Sequence, residues 1–404
     1  MNKKKRVLIC TNHFYPETFR CNDVAFELAK RGYEIDVLTA IPDYPQGSFP
    51  KGYGLFKKRK EIINGVRVYR AFIIPRGKGG VLRLALNYLS FLISSIVVGL
   101  FMCLTCKYDR VLVHETSPIF IGIVAVFIKK IRRIPMLFWV LDLWPESFMN
   151  YGKFNSNFVY STFNRLTKWI YRNSDVILTS SRGFKQAICE KGIDSGLIEY
   201  FPNWADNVVD KQTTYNLPDM PQGFIVMFAG NMGTGQNLEG LLSAARILNT
   251  EKSIHFVFLG DGSMYPWAVS FIQENHLADT VHLMGRFSSD LMPLFYDKAD
   301  AMVVSLTSNF AHNNTLPAKV QGYMNSKKPI IGLIDGEAQS IIKEAQCGYT
   351  CNADDFKGFA NLIIKVSRMT KAELETLGNN GYNYCKENFD YDKCMNHIEK
   401  VLNI

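Results

Sequence analysis

Three stretches of the 404-residue chain carry residue types whose spacing could do chemistry. Gly230-Asn231-Met232-Gly233-Thr234-Gly235-Gln236-Asn237 follows an apolar run at 224–229 and precedes Leu238, Leu241, Leu242 and Ala245 at helical spacing. Glycines at such a turn let the backbone come close to an anion, and the helix start points amide N–H groups at it. The turn is neither the Gly-x-Gly-x-x-Gly of dinucleotide sites nor a P-loop, because no Gly-Lys-Ser/Thr follows. The second stretch, 305–319, puts Pro317 in a first helical turn, with Thr315 and its neighbours as sources of capping oxygens. Lys319 falls one turn in, where its ammonium can meet phosphate at the helix end. Two such helix starts predict a pyrophosphate, hence a nucleotide; a solvated surface lysine is the competing reading. The third stretch is Asp142-Leu143-Trp144-Pro145-Glu146, directly after an apolar run at 136–140. Carboxylates beside a Trp fit a site for sugar hydroxyls, the ring packing on an aromatic face. His13-Phe14-Tyr15-Pro16-Glu17 closes the first apolar run in the same way, and in both places a loop with a capping acid is the alternative.

Other constellations carry less. Cys103-x-x-Cys106 lies in an apolar segment without further ligands, so zinc or redox chemistry is not expected. Asp390-Tyr391-Asp392 opens the terminal helix and reads as a cap. No Gly-x-Ser-x-Gly elbow and no His-Glu-x-x-His occur, and no metal or other cofactor is implied. Nine cysteines, an odd number without a framework, point to a reducing, cytosolic setting. The start, Met1-Asn2-Lys3-Lys4-Lys5-Arg6, looks like a signal-peptide n-region, but the apolar run after it is too short and reads as a buried strand. The net charge of +9 divides unevenly: residues 1–200 hold 30 basic and 15 acidic side chains, the rest 16 and 22. Residues 51–133 alone hold 16 basic and 3 acidic, so an anionic partner should meet the first half.

These residues need elements to hold them. Apolar runs at 6–10, 35–39, 66–69, 111–113, 136–140 and 176–179 alternate with helical patterns, for example 23–31 and 119–131, which predicts a parallel sheet wrapped by helices. Residues 42–65, rich in Pro, Gly and charge, read as a long loop. A second array has strands at 224–229, 254–259, 281–284, 301–304 and 330–333. The fold class expected is therefore α/β, two Rossmann-like doubly wound domains facing a central cleft. The linker is placed at 203–223, giving domains 1–205 and 206–390, and a terminal helix at 391–404 reaching back to the first domain. Residues 84–106 carry no formal charge and are long enough to span a bilayer, but a span would split one sheet across a membrane. The segment also contains Asn87, Ser90, Ser94 and Ser95 and is flanked by Lys57, Lys58, Arg59, Lys60, Arg76, Lys78, Arg83, Lys107 and Arg110. A helix packed partly on the sheet and dipping an apolar face into anionic lipid is the favoured reading; buried core and a true span are the others.

Together the residues resemble a retaining family-four glycosyltransferase of GT-B architecture, and more closely the branch of N-acetyl-L-fucosaminyl transferases of O-antigen and capsule clusters. The likeness covers nearly the whole chain. It rests on 12–17, 28–39, Pro42-Asp43-Tyr44-Pro45, 64–70, 142–146, Pro202-Asn203-Trp204, 230–237, Leu259-Gly260-Asp261-Gly262 and Pro317-Ala318-Lys319. The family usually carries two glutamates, for donor sugar and ribose, where this chain has Asn314 and Gly322. Its usual Arg and Lys after the glycine turn are replaced by Asn231 and Gln236, which shifts phosphate charge onto Lys319, helped by Arg286. The resemblance implies transfer of a sugar from a nucleotide diphosphate, UDP above all, to a lipid-pyrophosphate-linked saccharide, with no nucleic-acid partner. The enzyme would sit peripherally on the cytoplasmic face of the membrane, its anionic surface met by residues 51–133. Gly230, Asn231, Gly233, Arg286, Asn314 and Lys319 would bind donor, and His13, Trp144 and Glu146 acceptor. Asp142 and Glu17 are candidates to take the proton from the attacking hydroxyl, unless the leaving phosphate itself does so. A nucleotide-sugar 2-epimerase of the same build and an inactive membrane-attached sugar-binding protein are the alternatives.

Overall fold

The computed structural model describes residues 5–77, 79–149, 156–205 and 217–403; Met1 to Lys4, Lys78 and much of the expected linker lie outside them. The chain forms two compact units, 1–201 with 395–404, and 202–394.

The first unit contains strands β1 (Arg6–Thr11), β2 (Glu34–Ala40), β3 (Lys60–Ile63), β4 (Val66–Ala71), β5 (Arg110–Glu115), β6 (Met136–Val140), β7 (Val176–Thr179) and β8 (Ile198–Tyr200). They form one sheet in the order β3-β4-β2-β1-β5-β6-β7-β8, parallel throughout except for β3 against β4. Strands such as Val7-Leu8-Ile9-Cys10 are apolar at every position because helices cover both faces of the sheet. The 42–65 segment is not all loop: β3 and β4 form a hairpin closed by Asn64 and Gly65, both at positive φ (47° and 83°). That Asn-Gly pair supplies the backbone a two-residue hairpin turn needs. Within the sheet Asp36 is fully buried and accepts from Arg6 Nη2 (2.7 Å), Arg67 Nε (2.5 Å) and Tyr108 Oη (2.7 Å), which ties β1, β2 and β4 together.

The long apolar segment is a helix, Val81–Thr105, laid along β2 and β4 and against the Ile121–Arg132 helix. Its buried residues, Asn87, Phe91, Ser95, Gly99, Met102 and Cys103, recur every three or four positions and make one face. A Cβ on Gly99 would stand 3.2 Å from Val124 Cγ1, so the missing side chain lets the two helices approach. The opposite face is apolar too: Leu82, Leu89, Ile93, Val97, Phe101 and Leu104 are each more than half exposed. By length and composition alone the helix could cross a membrane. Its packing along the sheet makes it part of the first unit's fold.

The second unit has β9 (Phe224–Ala229), β10 (Ile254–Leu259), β11 (Val281–Gly285), β12 (Ala301–Ser305), β13 (Ile330–Leu333) and β14 (Gly348–Cys351), in the order β11-β10-β9-β12-β13-β14 and all parallel. In chain order that is 3-2-1-4-5-6, and the first sheet repeats it from β4 to β7. The direction of strand succession therefore reverses between β1 and β5, and again between β9 and β12, which is where such sheets take ligands. The last helix, Tyr391–Asn403, is capped by Asp390, whose Oδ1 accepts from Lys393 N at 3.0 Å. Its first turn belongs to the second unit and its remainder to the first, where Glu399 pairs with Arg31 (2.8 Å) and His397 with Glu199 (3.0 Å).

Candidate active site

In the second unit the glycine turn leaves β9 beside the turn that leaves β12. Thr307 N donates to Gly235 O (3.0 Å) and Ser305 Oγ to Gln236 O (2.6 Å), so the two turns are one structure across the reversal point. The position of Gly235 is occupied from the other side by His312, whose Cε1 would lie 2.9 Å from any Cβ there. Gly230 and Asn231 are exposed, and the Asn231 side chain lies over Gly233 and Gly262. Lys319, in the Ala318–Asn325 helix, reaches back under this turn. Its Nζ donates to Gln236 Oε1 (2.5 Å), lies 3.9 Å from the centre of the Phe228 ring, and would be 3.5 Å from a Cβ on Gly230. None of these neighbours is anionic, and burial lowers the ammonium to about 7. A phosphate at the turn would restore full protonation.

Other expected donor contacts are differently placed. Arg286 is exposed just after β11, two strands from the reversal point. Asn314 donates from Nδ2 to Phe310 O (2.8 Å), and a Cβ on Gly322 would meet nothing within 4 Å. Thr315 does not cap the Lys319 helix: its hydroxyl donates to Ala311 O (2.7 Å), in the preceding turn.

In the first unit the residues after β1 are held by residues after β2 and β4. His13 stacks on Phe19 (4.8 Å between ring centres) and its ring nitrogens meet Glu17 Oε2 (2.8 Å) and Arg76 Nη2 (2.9 Å). A guanidinium only donates, so His13 Nε2 accepts and Nδ1–H donates to Glu17. Glu17 also accepts from Asp43 N (2.9 Å) and Tyr44 N (2.7 Å). Three donors thus meet Glu17, and its carboxylate fixes the orientation and tautomer of His13. His13, Glu17 and Asp43 have ligand atoms within 4.8 Å of one another, but Arg76 occupies the lone pair a cation would need.

Asp142 stands at the end of β6. Trp144 Nε1 donates to Ser117 Oγ (3.0 Å), so the Ser117 hydroxyl is left to donate to Asp142 Oδ2 (2.7 Å). Burial raises the Asp142 carboxyl against the opposing hydrogen bonds from Ser117. Trp144 itself is 2% exposed and stacked on Phe148, so it offers no face to a sugar ring and acts on the site through Ser117. Glu146 is likewise engaged, by Lys191 Nζ (2.5 Å) and Tyr160 Oη (3.0 Å). Glu115, at the end of β5, is fully buried and accepts from Leu141 N and Asp142 N (both 3.2 Å). Burial, with the Asp142 charge second, pushes its carboxyl well above the usual range. Sequence reading missed Arg76, Glu115, Ser117 and His312. The rule that flagged residues after β1 and β6 finds Glu115 and Ser117 when applied to the end of β5; Arg76 has no local signal.

Residues 18–204 match the profile of the glycosyl transferase 4-like domain, and residues 217–384 that of glycosyl transferases group 1. The chain belongs to the family-four glycosyltransferases, with the GT-B fold. Sucrose-phosphate synthase of Thermosynechococcus elongatus has the same fold (TM-score 0.75, 16% identity, 99% of this chain and 98% of that one). So has HepE of Anabaena, solved in complex with UDP (TM-score 0.71, 14% identity, 99% of each chain). Among curated relatives, the "Probable glycosyltransferase WbjE" of Pseudomonas aeruginosa is 26% identical over 59% of this chain and 62% of its own length. The "Putative colanic acid biosynthesis glycosyl transferase WcaI" of Escherichia coli K12 is 25% identical over 72% of this chain and 73% of its own length.

Proposed function

We propose that the protein transfers a sugar from a nucleotide diphosphate, UDP-linked, to a lipid-pyrophosphate-linked saccharide in surface polysaccharide assembly, with retention of anomeric configuration. The observation that carries this is the glycine turn over Lys319, a lowered ammonium beside open backbone and without an anion of its own. A leaving pyrophosphate there would meet Lys319 and turn amides, with Gly230, Asn231 and Gly233 shaping its seat and Arg286 and Asn314 at its margin. The first unit would hold the acceptor through the cluster around His13, and Asp142, oriented by Ser117, would take the proton of the attacking hydroxyl. An N-acetyl-L-fucosamine or related hexosamine is the sugar that the likeness in sequence favours. The domain roles follow: acceptor and membrane side at 1–205, nucleotide sugar at 206–390.

The outward face of the Val81–Thr105 helix would dip into the cytoplasmic leaflet. Lys107, Lys130 and Arg133, all exposed beside it or on the adjoining helix, fit anionic lipid. Carbonate extraction checks the depth: the protein should be released, and resistance equal to that of a spanning protein would sink the interfacial placement.

For the reaction, purified protein is given UDP-glucose and UDP-N-acetylhexosamines with and without a lipid-linked saccharide extract. Label should enter the lipid fraction with retained configuration. An epimerised donor sugar without acceptor would point to a 2-epimerase, and neither transfer nor donor hydrolysis to an inactive binding protein.

A further inference from the structure

A small, partly open recess in the first unit is lined by Asn12, His13, Asp43, Arg76, Asn87 and Tyr88 on its polar side, and by Ala40, Ile73, Phe91 and Pro118 on its apolar side. It lies at the carboxyl ends of β1, β2 and β4 and beside the turn after β5, the reversal point of this sheet.

Its hydrogen bonds do not close. The amide hydrogens of Asn12 go to Thr116 O (2.8 Å) and Pro118 O (3.0 Å), which fixes which amide atom is oxygen, and Asn12 Oδ1 is buried with no donor. Asp43 Oδ2 accepts from Arg76 N (2.9 Å) and Asn87 Nδ2 (3.1 Å). Asp43 Oδ1 faces Arg76 Nε at 3.6 Å, too far for a hydrogen bond, and both atoms are left unmet. Asn12 and Asp43 are 4% and 2% exposed. The lining therefore asks for hydrogens at two acceptors and a lone pair at one donor. Phosphate would set its negative charge against the Asp43 carboxylate; a metal ion is opposed by Arg76. A neutral hydroxylated group fits, and Ile73, Phe91 and Pro118 suit the C–H faces of a ring.

We infer that this recess is a hydroxyl-anchoring subsite for the acceptor sugar. One hydroxyl enters it between Asn12 Oδ1, Asp43 Oδ1 and Arg76 Nε, and the ring stays at the mouth. The space admits one water-sized group, the size of a single hydroxyl. The inference rests on the glycosyl-transfer reading and gives Asn12, Asp43 and Arg76 a role in it.

Two variants test it, Asp43→Asn and Ala40→Val, the second filling the recess with methyl groups from β2. Acceptor KM, measured with lipid-linked saccharide extract, should rise about tenfold or more in both, the cost of leaving a substrate hydroxyl unpaired. The Kd for UDP-glucose should stay within about twofold. Calorimetric titration with methyl glucoside, methyl galactoside and the methyl glycoside of N-acetylglucosamine should show at least one binding to the wild type and lost in Ala40→Val. An unchanged acceptor KM in both variants, with only a lowered melting temperature, would mean a permanent structural water and overturn the subsite. Binding of inorganic phosphate in place of the glycosides would overturn it equally. Should the wild type neither transfer nor hydrolyse any donor, the transfer reading falls by itself, and the glycoside titration still decides the recess.

Discussion

The two reversal points solve opposite problems with charge. In the first unit each of these carboxylates near the edge has at least one donor of its own: Glu17 has His13 and two backbone amides, Asp43 has Arg76 N and Asn87 on one oxygen, Asp142 has Ser117, and Glu146 has Lys191. In the second unit Lys319, a partly buried cation at the edge, has a neutral amide and a ring for company. A site whose charges are internally balanced can discriminate neutral hydroxyls by geometry. A site with an unbalanced cation waits for an anion, and its affinity answers to pH.

The largest effect expected from breaking this contrast is on turnover. Asp142→Asn keeps the shape and the Ser117 contact but removes the basic oxygen, so kcat should fall by about 10²–10⁴ while UDP-glucose binding is unchanged. Normal turnover would remove Asp142 from the chemistry and leave the leaving phosphate as proton acceptor. Next comes Lys319→Ala, which should weaken UDP-glucose binding about 10- to 100-fold, the range of a charge-assisted hydrogen bond. An unaltered Kd would reject the phosphate role.

The third expectation concerns pH. Free Lys319 loses its proton near 7, and bound phosphate raises that value, so binding above pH 7 must take up a proton. UDP-glucose, whose diphosphate does not titrate there, should bind up to about tenfold more weakly per unit above pH 7, and evenly below it. Lys319→Ala should flatten the curve. For the free protein the sign is opposite: an unfolded lysine keeps its proton to about 10.5, so stability should rise between 7 and 10.5.

The smallest effect belongs to Glu115. Its carboxyl, raised in the folded state from an ordinary 4.5, binds its proton more tightly folded than unfolded. That stability is present in acid and is lost as pH rises above about 4.5. Glu115→Gln should therefore show less decline in melting temperature from pH 5 to 8, a difference of about 2–4 °C per kcal/mol for a unit of this size. A slope equal to the wild type's would show that Glu115 is ionised throughout.

What the sequence discloses depends on the range of the interaction. Val7 to Cys10 or Phe224 to Ala229 announce themselves, because an apolar run ended by polar residues has few folds open to it. The same local signal marked His13, Asp142 and the glycine turn. Trp144 was misjudged because its neighbours in space, Phe148, Phe163 and Ser117, bury a ring whose position in the motif suggests exposure. Arg76 lies 63 residues from the His13 it meets, and Lys319 is 83 residues from Gln236, so their partners are set by topology alone. β3 was hidden by its charge and by its place at the sheet edge, where half of its side chains face water.

The divided last helix bears on synthesis. Lys5 donates to the carbonyl of Leu402, 397 residues later, and Arg31 pairs with Glu399. The unit that begins at the amino terminus therefore lacks part of its surface until residues 395–403 have left the ribosome, whereas 202–394 is one uninterrupted stretch. The outer side of the Val81–Thr105 helix, by contrast, is apolar whether or not that last segment is in place. Closure of the first unit thus depends on the two most distant stretches of the described chain meeting, a contact of the kind that slows folding.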